Sequence, residues 1–315
     1  MYICGLAEYL PARVVDNRYF SARTGREPEW FERRTGIRER RRAAPGENAN
    51  TMAVDAVARL AETLPGGLPD IDLVIGCSYT PWDTIGTMAH VVQRRFELRA
   101  ARALYISSAC SSFINALELA AAYFESGRSS TALIVAVEHN SLYCSDDDDQ
   151  SGHLWGDGAA AVLVSRESSG AEALEIVDVT TAGLGHLGQG PEGVFLTPKG
   201  EGLVMPHGRD VFQHACQGME EAARELLDRH GIAAGDLRLL IAHQANRRIL
   251  DRVAGQLGIA PERVATTVEE LGNTGCASTA ITLVRHRHLL RSGDLALMVA
   301  FGGGYSSGAA LMRCG

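Results

Sequence analysis

Hydrophobic and polar residues form two kinds of pattern along this chain. Residues 53–64 and 219–230 place apolar side chains every three or four positions, which predicts amphipathic helices. Residues 130–137 and 294–301 are continuous apolar runs of strand length, as is typical of strands covered on both faces. Helices that alternate with buried strands predict an α/β fold in which helices cover a mostly parallel sheet.

These patterns occur twice, because the second half of the chain resembles the first. Four segments match in order, three of them at one constant offset: 53–64, 72–78, 107–113 and 130–137 correspond to 219–230, 238–244, 273–279 and 294–301. Each half reads helix, strand, connection, strand, turn, helix, strand. We expect two duplicated halves, residues 1–165 and 166–315, which pack as one body and join near Ser165–Glu175.

Composition and charge narrow the classes of function. The 315 residues carry a formal net charge of −8, which disfavours general nucleic-acid binding because a phosphate backbone requires a cationic face. We expect neither a secretory signal nor a membrane span, since no apolar window approaches the length of about 18 residues that a span requires. Seven cysteines without CxxC pairs favour free thiols in a reducing compartment, hence the cytoplasm, over disulfides or a zinc site.

Two turns are candidates for nucleophilic chemistry. In residues 103–124 an apolar strand enters, small residues turn the chain and a helical pattern leaves, so Cys110 falls at a strand-to-helix turn. There a thiol would face the unpaired N–H groups of a helix N-terminus, which lower a thiol pKa. A buried structural cysteine is the alternative. Residues 298–311 are an apolar strand that runs into three glycines, whose N–H groups could bind an oxyanion.

Polar residues of the second half are further candidates for the active site. His243 directly follows an apolar strand, where ligands collect in α/β sheets, and its imidazole could accept a thiol proton or bind an oxyanion. A surface histidine is the alternative. Asn273 lies in the turn that mirrors the Cys110 turn, and its local sequence favours a conformational role. We expect Cys276 in the same turn, and Asp157 between two glycines, to be structural.

Six short motifs, taken together, resemble the ketoacyl synthase III enzymes of the thiolase fold over essentially the full length of the chain. They are WFERRTGIRER at 30–40, ACSSFINAL around Cys110, WGDGAAAVL at 155–163, HQAN at 243–246, GNTG at 272–275 and FGGGYSSGAAL at 301–311. The resemblance implies duplicated βαβαβ halves in a five-layer α/β/α/β/α body. It also implies a homodimer.

The resemblance implies roles for the candidate residues. Cys110 would take an acyl group from acyl-CoA or from an acyl carrier protein. His243 and Asn273 would hold a malonyl thioester during a decarboxylative Claisen condensation, which yields a 3-oxoacyl thioester. The backbone N–H groups of Cys110 and Gly303 would form the oxyanion hole. No cofactor other than the thioester substrates is implied, and no metal.

Further contacts follow from the same resemblance. Substrate contacts are implied for Trp30, Arg34, Ile85, Phe212 and Asn246, and a carrier-protein contact for Arg248. Trp30 would stack on the adenine of CoA and Arg34 would meet its phosphates. The other arginines of residues 33–42 are equally compatible with a solvated charge run.

Two segments depart from the family pattern. Residues 146–149 are four aspartates, close to where CoA-primed members place an arginine, and they would repel a polyphosphate. We therefore expect a carrier protein or an unusual acyl donor at least as much as acyl-CoA. Residues 84–89, where the family closes the acyl tunnel from the partner subunit, lack a bulky aromatic, which suggests a primer longer than acetyl or branched.

Other activities are compatible with the same motifs. Secondary-metabolite relatives transfer the acyl group to an oxygen or nitrogen nucleophile, or condense without decarboxylation. An inactive partner subunit of a ketosynthase heterodimer is a third interpretation. The intact set of Cys110, His243 and Asn273 argues against that last one.

Overall fold

A computed structural model describes the chain except for residues 169, 171 and 172. Up to residue 165 its elements are β1 (Tyr2–Tyr9), β2 (Arg13–Asp16), α1 (Asn17–Thr24), α2 (Pro28–Thr35), β3 (Glu39–Arg42), α3 (Ala49–Thr63), β4 (Leu73–Cys77), α4 (Met88–Arg95), β5 (Arg102–Ile106), α5 (Ser112–Glu125), β6 (Thr131–Glu138) and β7 (Gly158–Ser165). The elements that follow are β8 (Leu174–Gly183), β9 (Phe195–Thr197), β10 (Gly202–Val204), α6 (Gly208–Arg229), β11 (Leu237–Ala242), α7 (Arg247–Leu257), α8 (Val268–Leu271), α9 (Ser278–His286), β12 (Leu295–Gly302) and β13 (Ser306–Cys314).

One large sheet organises the molecule. Within the described residues its strand order is β11-β12-β13-β8-β1-β7-β6-β4-β5. β4 pairs in parallel with β5 and β6, and β11 pairs in parallel with β12, whereas the other five neighbouring pairs are antiparallel. The prediction of a mostly parallel sheet is therefore wrong. Parallel strands require a crossover connection, and the links β6 to β7 and β12 to β13 instead return the chain beside the strand it has left.

Helices and strands stack in five layers, as predicted. Helices α5 and α9 form the middle layer. There Phe113 and Ile281 pack in one cluster with the inner faces of β4, β6 and β7 and with those of β11, β12 and β13. Helices α3 and α4 cover the outer face of β1, β4, β6 and β7, and α6 and α7 cover the outer face of β11, β12 and β13. The continuous apolar strand runs follow from this arrangement: Met298 of β12 faces the central cluster, while the adjacent Val299 faces the outer one.

The duplication is imperfect in one place. Strand β5 leads into the Cys110 turn, but described residues 259–272 contain no equivalent strand, and Val264 forms only an isolated bridge with Leu240. The strand predicted there is therefore wrong. Pro261, Glu262 and Arg263 interrupt the apolar run that a buried strand would need.

The segment between β7 and β8 contains the predicted join. Three residues of Ser165–Glu175, namely 169, 171 and 172, lie outside the described residues, so the boundary between the halves stays a prediction. Elsewhere the described helices include none that combines the length and the apolarity required to cross a bilayer.

Candidate active site

The Cys110 turn is a strained elbow held by serine side chains. Ala109 has a φ of 48°, a left-handed conformation that is uncommon for a residue with a side chain. The Ser108 N–H donates to Ser112 Oγ at 2.7 Å, and Ser111 Oγ donates to the Ser108 carbonyl at 2.8 Å. Cys110 lies two residues before the start of α5, with part of its surface still accessible.

The glycine turn after β12 packs against this elbow. A methyl group on Gly302 would lie 2.6 Å from the carbonyl oxygen of Ser108 and 2.8 Å from the nitrogen of Cys110. A methyl group on Gly303 would lie 3.7 Å from Cβ of Ala109. The two turns can approach this closely only because Gly302 lacks a side chain.

Burial sets the ionisation of Cys110. Desolvation and the nearby charge of Glu138 raise the pKa of the thiol to about 12, and an interaction with Tyr79 offsets this only in part. The sequence predicted that the N-terminus of α5 would lower this pKa. That prediction is wrong, because burial and Glu138 raise the pKa by more than the end of the helix lowers it. The resting nucleophile is a thiol.

His243 stands at the end of β11 with one ring nitrogen occupied. Its backbone N–H donates to the carbonyl of Val299 at 2.8 Å, and Nδ1 is 2.7 Å from Oγ of Ser278 at the start of α9. Burial lowers the pKa of the imidazole to about 4, so the ring is neutral near pH 7. Among the described residues Nε2 has no hydrogen-bond partner, which leaves that nitrogen for a substrate.

Asn273 is oriented by its own turn. Its carbonyl accepts from the Gly156 N–H at 2.9 Å and from Asn140 Nδ2 at 3.2 Å. Its side-chain Oδ1 accepts from the Gly275 N–H at 2.9 Å, so the turn role expected from the sequence is present. With Oδ1 occupied, the Nδ2 group remains as a donor. Asn273 therefore combines a conformational role with an amide NH₂ group that has no partner in the described part of the chain.

Tyr79 and Glu138 pack against the Asn273 turn, and the sequence did not single out either one. A methyl group on Gly275, two residues after Asn273, would be 2.5 Å from the Tyr79 hydroxyl oxygen and 2.6 Å from Cγ of Glu138. Glu138 is buried, accepts from the N–H groups of Tyr79 and Cys276 at 3.4 Å, and has a pKa raised to about 7. A carboxylate at the end of an apolar strand was the available signal for Glu138.

The residues implied for substrate and carrier binding lie on a more exposed face. Trp30 is half-buried on α2, with the guanidinium groups of Arg34 and Arg26 at 4.8 and 5.0 Å from its ring centroid. Asn246 caps α7, accepting from the Arg248 N–H at 2.9 Å, and its Nδ2 donates to the carbonyl of Arg34 at 3.4 Å. The structure thus brings Trp30, Arg34, Asn246 and Arg248 together.

Two other implied contacts lie elsewhere. Ile85 is 88% exposed, so it lies outside the buried site of its own chain. Phe212 is on α6 and packs at the edge of the outer cluster formed by α6, α7 and the sheet. Both roles stay predictions.

The four aspartates of residues 146–149 are largely compensated. Arginines pair with three of them: Asp146 with Arg42 at 2.9 Å, Asp147 with Arg23 at 2.8 Å and Asp149 with Arg26 at 3.4 Å. These ion pairs weaken the repulsion of a polyphosphate that the sequence suggests, and the preference for a carrier-protein donor stays a prediction. In the described part of the chain, no cluster of three or more His, Cys, Asp or Glu residues could hold a metal ion.

Known proteins resemble this chain in both sequence and fold. The family model for 3-oxoacyl-[acyl-carrier-protein] synthase III matches residues 105–183, and the model for its C-terminal part matches residues 227–314. A beta-ketoacyl-[acyl-carrier-protein] synthase III of Nitratidesulfovibrio vulgaris is 35% identical over 321 residues, covering 98% of this chain and 97% of that protein.

Solved structures agree over the same length. The 3-oxoacyl-[acyl-carrier-protein] synthase III from Aquifex aeolicus superposes with a TM-score of 0.91 at 34% identity, covering 99% of both chains. The priming beta-ketosynthase from the R1128 polyketide pathway superposes with a TM-score of 0.89 at 32% identity, covering 99% of this chain and 96% of that one. The chain therefore belongs to the 3-oxoacyl-[acyl-carrier-protein] synthase III family.

Proposed function

We propose that this protein is an acyltransferase that loads an acyl group on Cys110 and condenses it with a malonyl thioester to a 3-oxoacyl thioester. One observation carries the proposal: a partly accessible cysteine stands at a strained elbow against a glycine turn. His243 Nε2 and Asn273 Nδ2 have no protein partner among the described residues, which supports their proposed role as donors to a substrate.

The first half-reaction transfers the acyl group to sulfur. The Cys110 sulfur attacks the donor's thioester carbonyl, a new carbon–sulfur bond forms, and the bond to the donor's sulfur breaks. The thiol proton leaves with the released donor thiol. Backbone N–H groups of Cys110 and Gly303 are the proposed donors to the tetrahedral oxyanion. One such donor lowers the activation free energy by roughly 3 kcal/mol.

The second half-reaction forms the carbon–carbon bond. His243 Nε2 and Asn273 Nδ2 donate to the carbonyl of the malonyl thioester, so that charge developing on its oxygen is stabilised as carbon dioxide leaves. The resulting carbanion attacks the acyl-cysteine carbonyl, and the bond to Cys110 breaks. A neutral imidazole suits this role, because with Nδ1 directed at Ser278 the ring can present an N–H at Nε2.

Carrier and CoA thioesters are the proposed donors, in keeping with the carrier protein in the relatives' names. Trp30, Arg34, Asn246 and Arg248 form the face that would receive them. Apart from these thioesters we propose no cofactor, and the free thiols favour a cytoplasmic location.

We also propose a homodimer. Strand β5 lies at the end of the sheet, so one of its edges has no neighbouring strand among the described residues. Exposed apolar side chains occur at Trp82 (55%), Ile85 (88%) and Leu142 (47%). An open strand edge and exposed apolar residues are typical of a surface that a second copy covers.

Intact-protein mass spectrometry tests the first half-reaction. The protein is incubated with a panel of acyl-CoAs and acyl carriers, and a mass increase of one acyl group that maps to Cys110 is expected. Cys110→Ser should abolish the adduct, whereas Cys276→Ser, which alters the matching buried thiol, should retain it. The absence of any adduct in the unsubstituted protein would indicate an inactive partner subunit instead.

Labelled malonyl thioester tests the second half-reaction. Release of labelled carbon dioxide together with a 3-oxoacyl product is expected. An ester or amide product without carbon dioxide release would contradict the decarboxylative step and leave the loading step standing.

A further inference from the structure

Strand β13 begins at Ser306, directly after the glycine turn. In the register of the β12–β13 hairpin Ser306 lies opposite Gly302, and residues paired in this way point to the same face of a sheet. Ala310, four residues further along β13, belongs to the central cluster, so this face is the inner one. Ser306 and Gly302 therefore both face the elbow at Cys110.

The side chain of Ser306 contacts that elbow directly. Its Oγ lies 2.6 Å from Oγ of Ser111 and 3.1 Å from the carbonyl oxygen of Ser108. Ser111 Oγ is itself 2.8 Å from the same carbonyl oxygen. Each hydroxyl carries one proton, so one serine donates to the other and the pair converges on the Ser108 carbonyl. This contact joins the first half of the chain to the second.

The Ser108 carbonyl precedes the strained residue of the elbow. Ala109 has a φ of 48°, a conformation that persists only where the surroundings hold it. Within the elbow the carbonyl accepts from the Ser111 N–H at 3.2 Å. Ser306 adds a contact from outside the elbow, and it comes from the strand that leaves the glycine turn.

Two different forces act between the elbow and the glycine turn. The close approach of Gly302 to the Ser108 oxygen and the Cys110 nitrogen is a van der Waals limit, which prevents the turns from moving closer. It does not prevent them from moving apart. The hydrogen bonds of Ser306 oppose that separation. Both directions of movement are thus restricted.

This restriction matters because each turn carries one of the proposed oxyanion donors. The Cys110 N–H belongs to the elbow and the Gly303 N–H belongs to the glycine turn. Two donors can bind one oxygen only if their separation is fixed, since an oxyanion hole acts through donors that are positioned before the charge develops.

We propose that Ser306 is a positioning residue that, through Ser111 and the Ser108 carbonyl, holds the elbow to the glycine turn and so sets the separation of the two oxyanion donors. This inference rests on the proposed function, in which Cys110 forms a tetrahedral intermediate with an acyl thioester. A reaction of the same sulfur that forms no oxyanion should not depend on Ser306.

Two reactions of Cys110 are therefore compared in Ser306→Ala. Acylation by an acyl carrier is followed by intact mass over a range of donor concentrations. Alkylation by iodoacetamide forms a carbon–sulfur bond and displaces iodide, without an oxyanion. We expect acylation at saturating donor to be about tenfold slower with an unchanged half-saturating concentration, and alkylation to stay within about twofold.

Ser307→Ala is the matched control. Ser307 is the next residue of β13 and is also buried, but its side chain points to the outer face of the sheet, so both reactions should stay within about twofold. Ser306→Thr keeps a hydroxyl on Cβ and suits a strand, so its acylation rate should stay within about threefold of the unsubstituted protein.

Ser111→Ala breaks the same link from the elbow side, and it serves if Ser306→Ala does not fold. The double variant Ser111→Ala/Ser306→Ala should acylate no more than about twofold more slowly than the slower single variant, because both substitutions remove one link. Losses that multiply in the double variant would contradict a single link.

The remaining outcomes distinguish this inference from the proposed function. Acylation of folded Ser306→Ala at the unsubstituted rate, or an equal loss in acylation and alkylation, would overturn the positioning role and leave the proposed function standing. Failure of every thioester to label the unsubstituted protein would overturn the proposed function, and this inference with it.

Discussion

Replacement of Gly302 by alanine is the sharpest structural test of the site. The added methyl group would lie 2.6 Å from the Ser108 oxygen, 2.8 Å from the Cys110 nitrogen and 3.0 Å from the Ser111 nitrogen, against 3.4 Å or more in ordinary contact. All three neighbours are backbone atoms, so no side-chain rotation relieves the overlap. The φ angle of Gly302 is not in the left-handed region, so the effect is one of packing.

The size of the effect follows from these contacts. Overpacking of this kind costs about 1–3 kcal/mol of stability, which lowers the melting temperature by a few degrees in a chain of this size. The least constrained response is a shift of the elbow away from β12. Displacement of a reacting atom by about 1 Å can cost about a hundredfold in rate. We therefore expect Gly302→Ala to acylate Cys110 some tenfold to a hundredfold more slowly.

The assay combines the rate of acylation of Cys110, read by intact mass, with thermal unfolding. Gly255→Ala is the control, because Gly255 lies within α7 with no atom within 4 Å of an added methyl group. That variant should keep the unsubstituted rate and gain up to about 1 kcal/mol, since alanine favours a helix over glycine. Unchanged acylation and melting in Gly302→Ala would refute the close packing of the two turns.

Three further predictions concern charge. The pKa of His243 is lowered by burial to about 4 from a usual value near 6.5, so the unfolded chain binds the extra proton between these values. Stability should therefore fall as the pH drops through this window, and His243→Gln should flatten that slope in urea titrations. Asp146→Asn removes the carboxylate beside buried Arg42 and should cost about 1–3 kcal/mol, whereas Asp147→Asn, in an exposed pair, should cost under about 1 kcal/mol in the same titrations. Finally, acyl carriers should label Cys110 faster than the same acyl group on CoA, since arginines already cover part of Trp30; equal or faster labelling by CoA would contradict this.

Local sequence patterns were sufficient to predict the type of secondary structure and the strand-to-helix turn that contains Cys110. Apolar periodicity reports whether one face or both faces of an element are buried, so an α/β fold with helices covering a sheet could be predicted; the five-layer arrangement followed from the family resemblance. The elbow at Cys110 is encoded within a few residues, as a buried strand, small side chains and a helix in succession. The turn role of Asn273 was readable for the same reason, because its Oδ1 bonds to a backbone group two residues along the chain.

Tertiary structure alone decided which distant groups meet. Strand direction depends on how a connection returns to the sheet, so the antiparallel pairs escaped a prediction based on alternation. The sequence predicted that the aspartates of residues 146–149 would repel a polyphosphate, because the arginines that pair with three of them are distant along the chain. The ionisation of Cys110 was also misjudged from local sequence. Desolvation by everything packed around the sulfur, together with Glu138, outweighs the helix N-terminus, and burial of that kind is a property of the assembled molecule rather than of any segment.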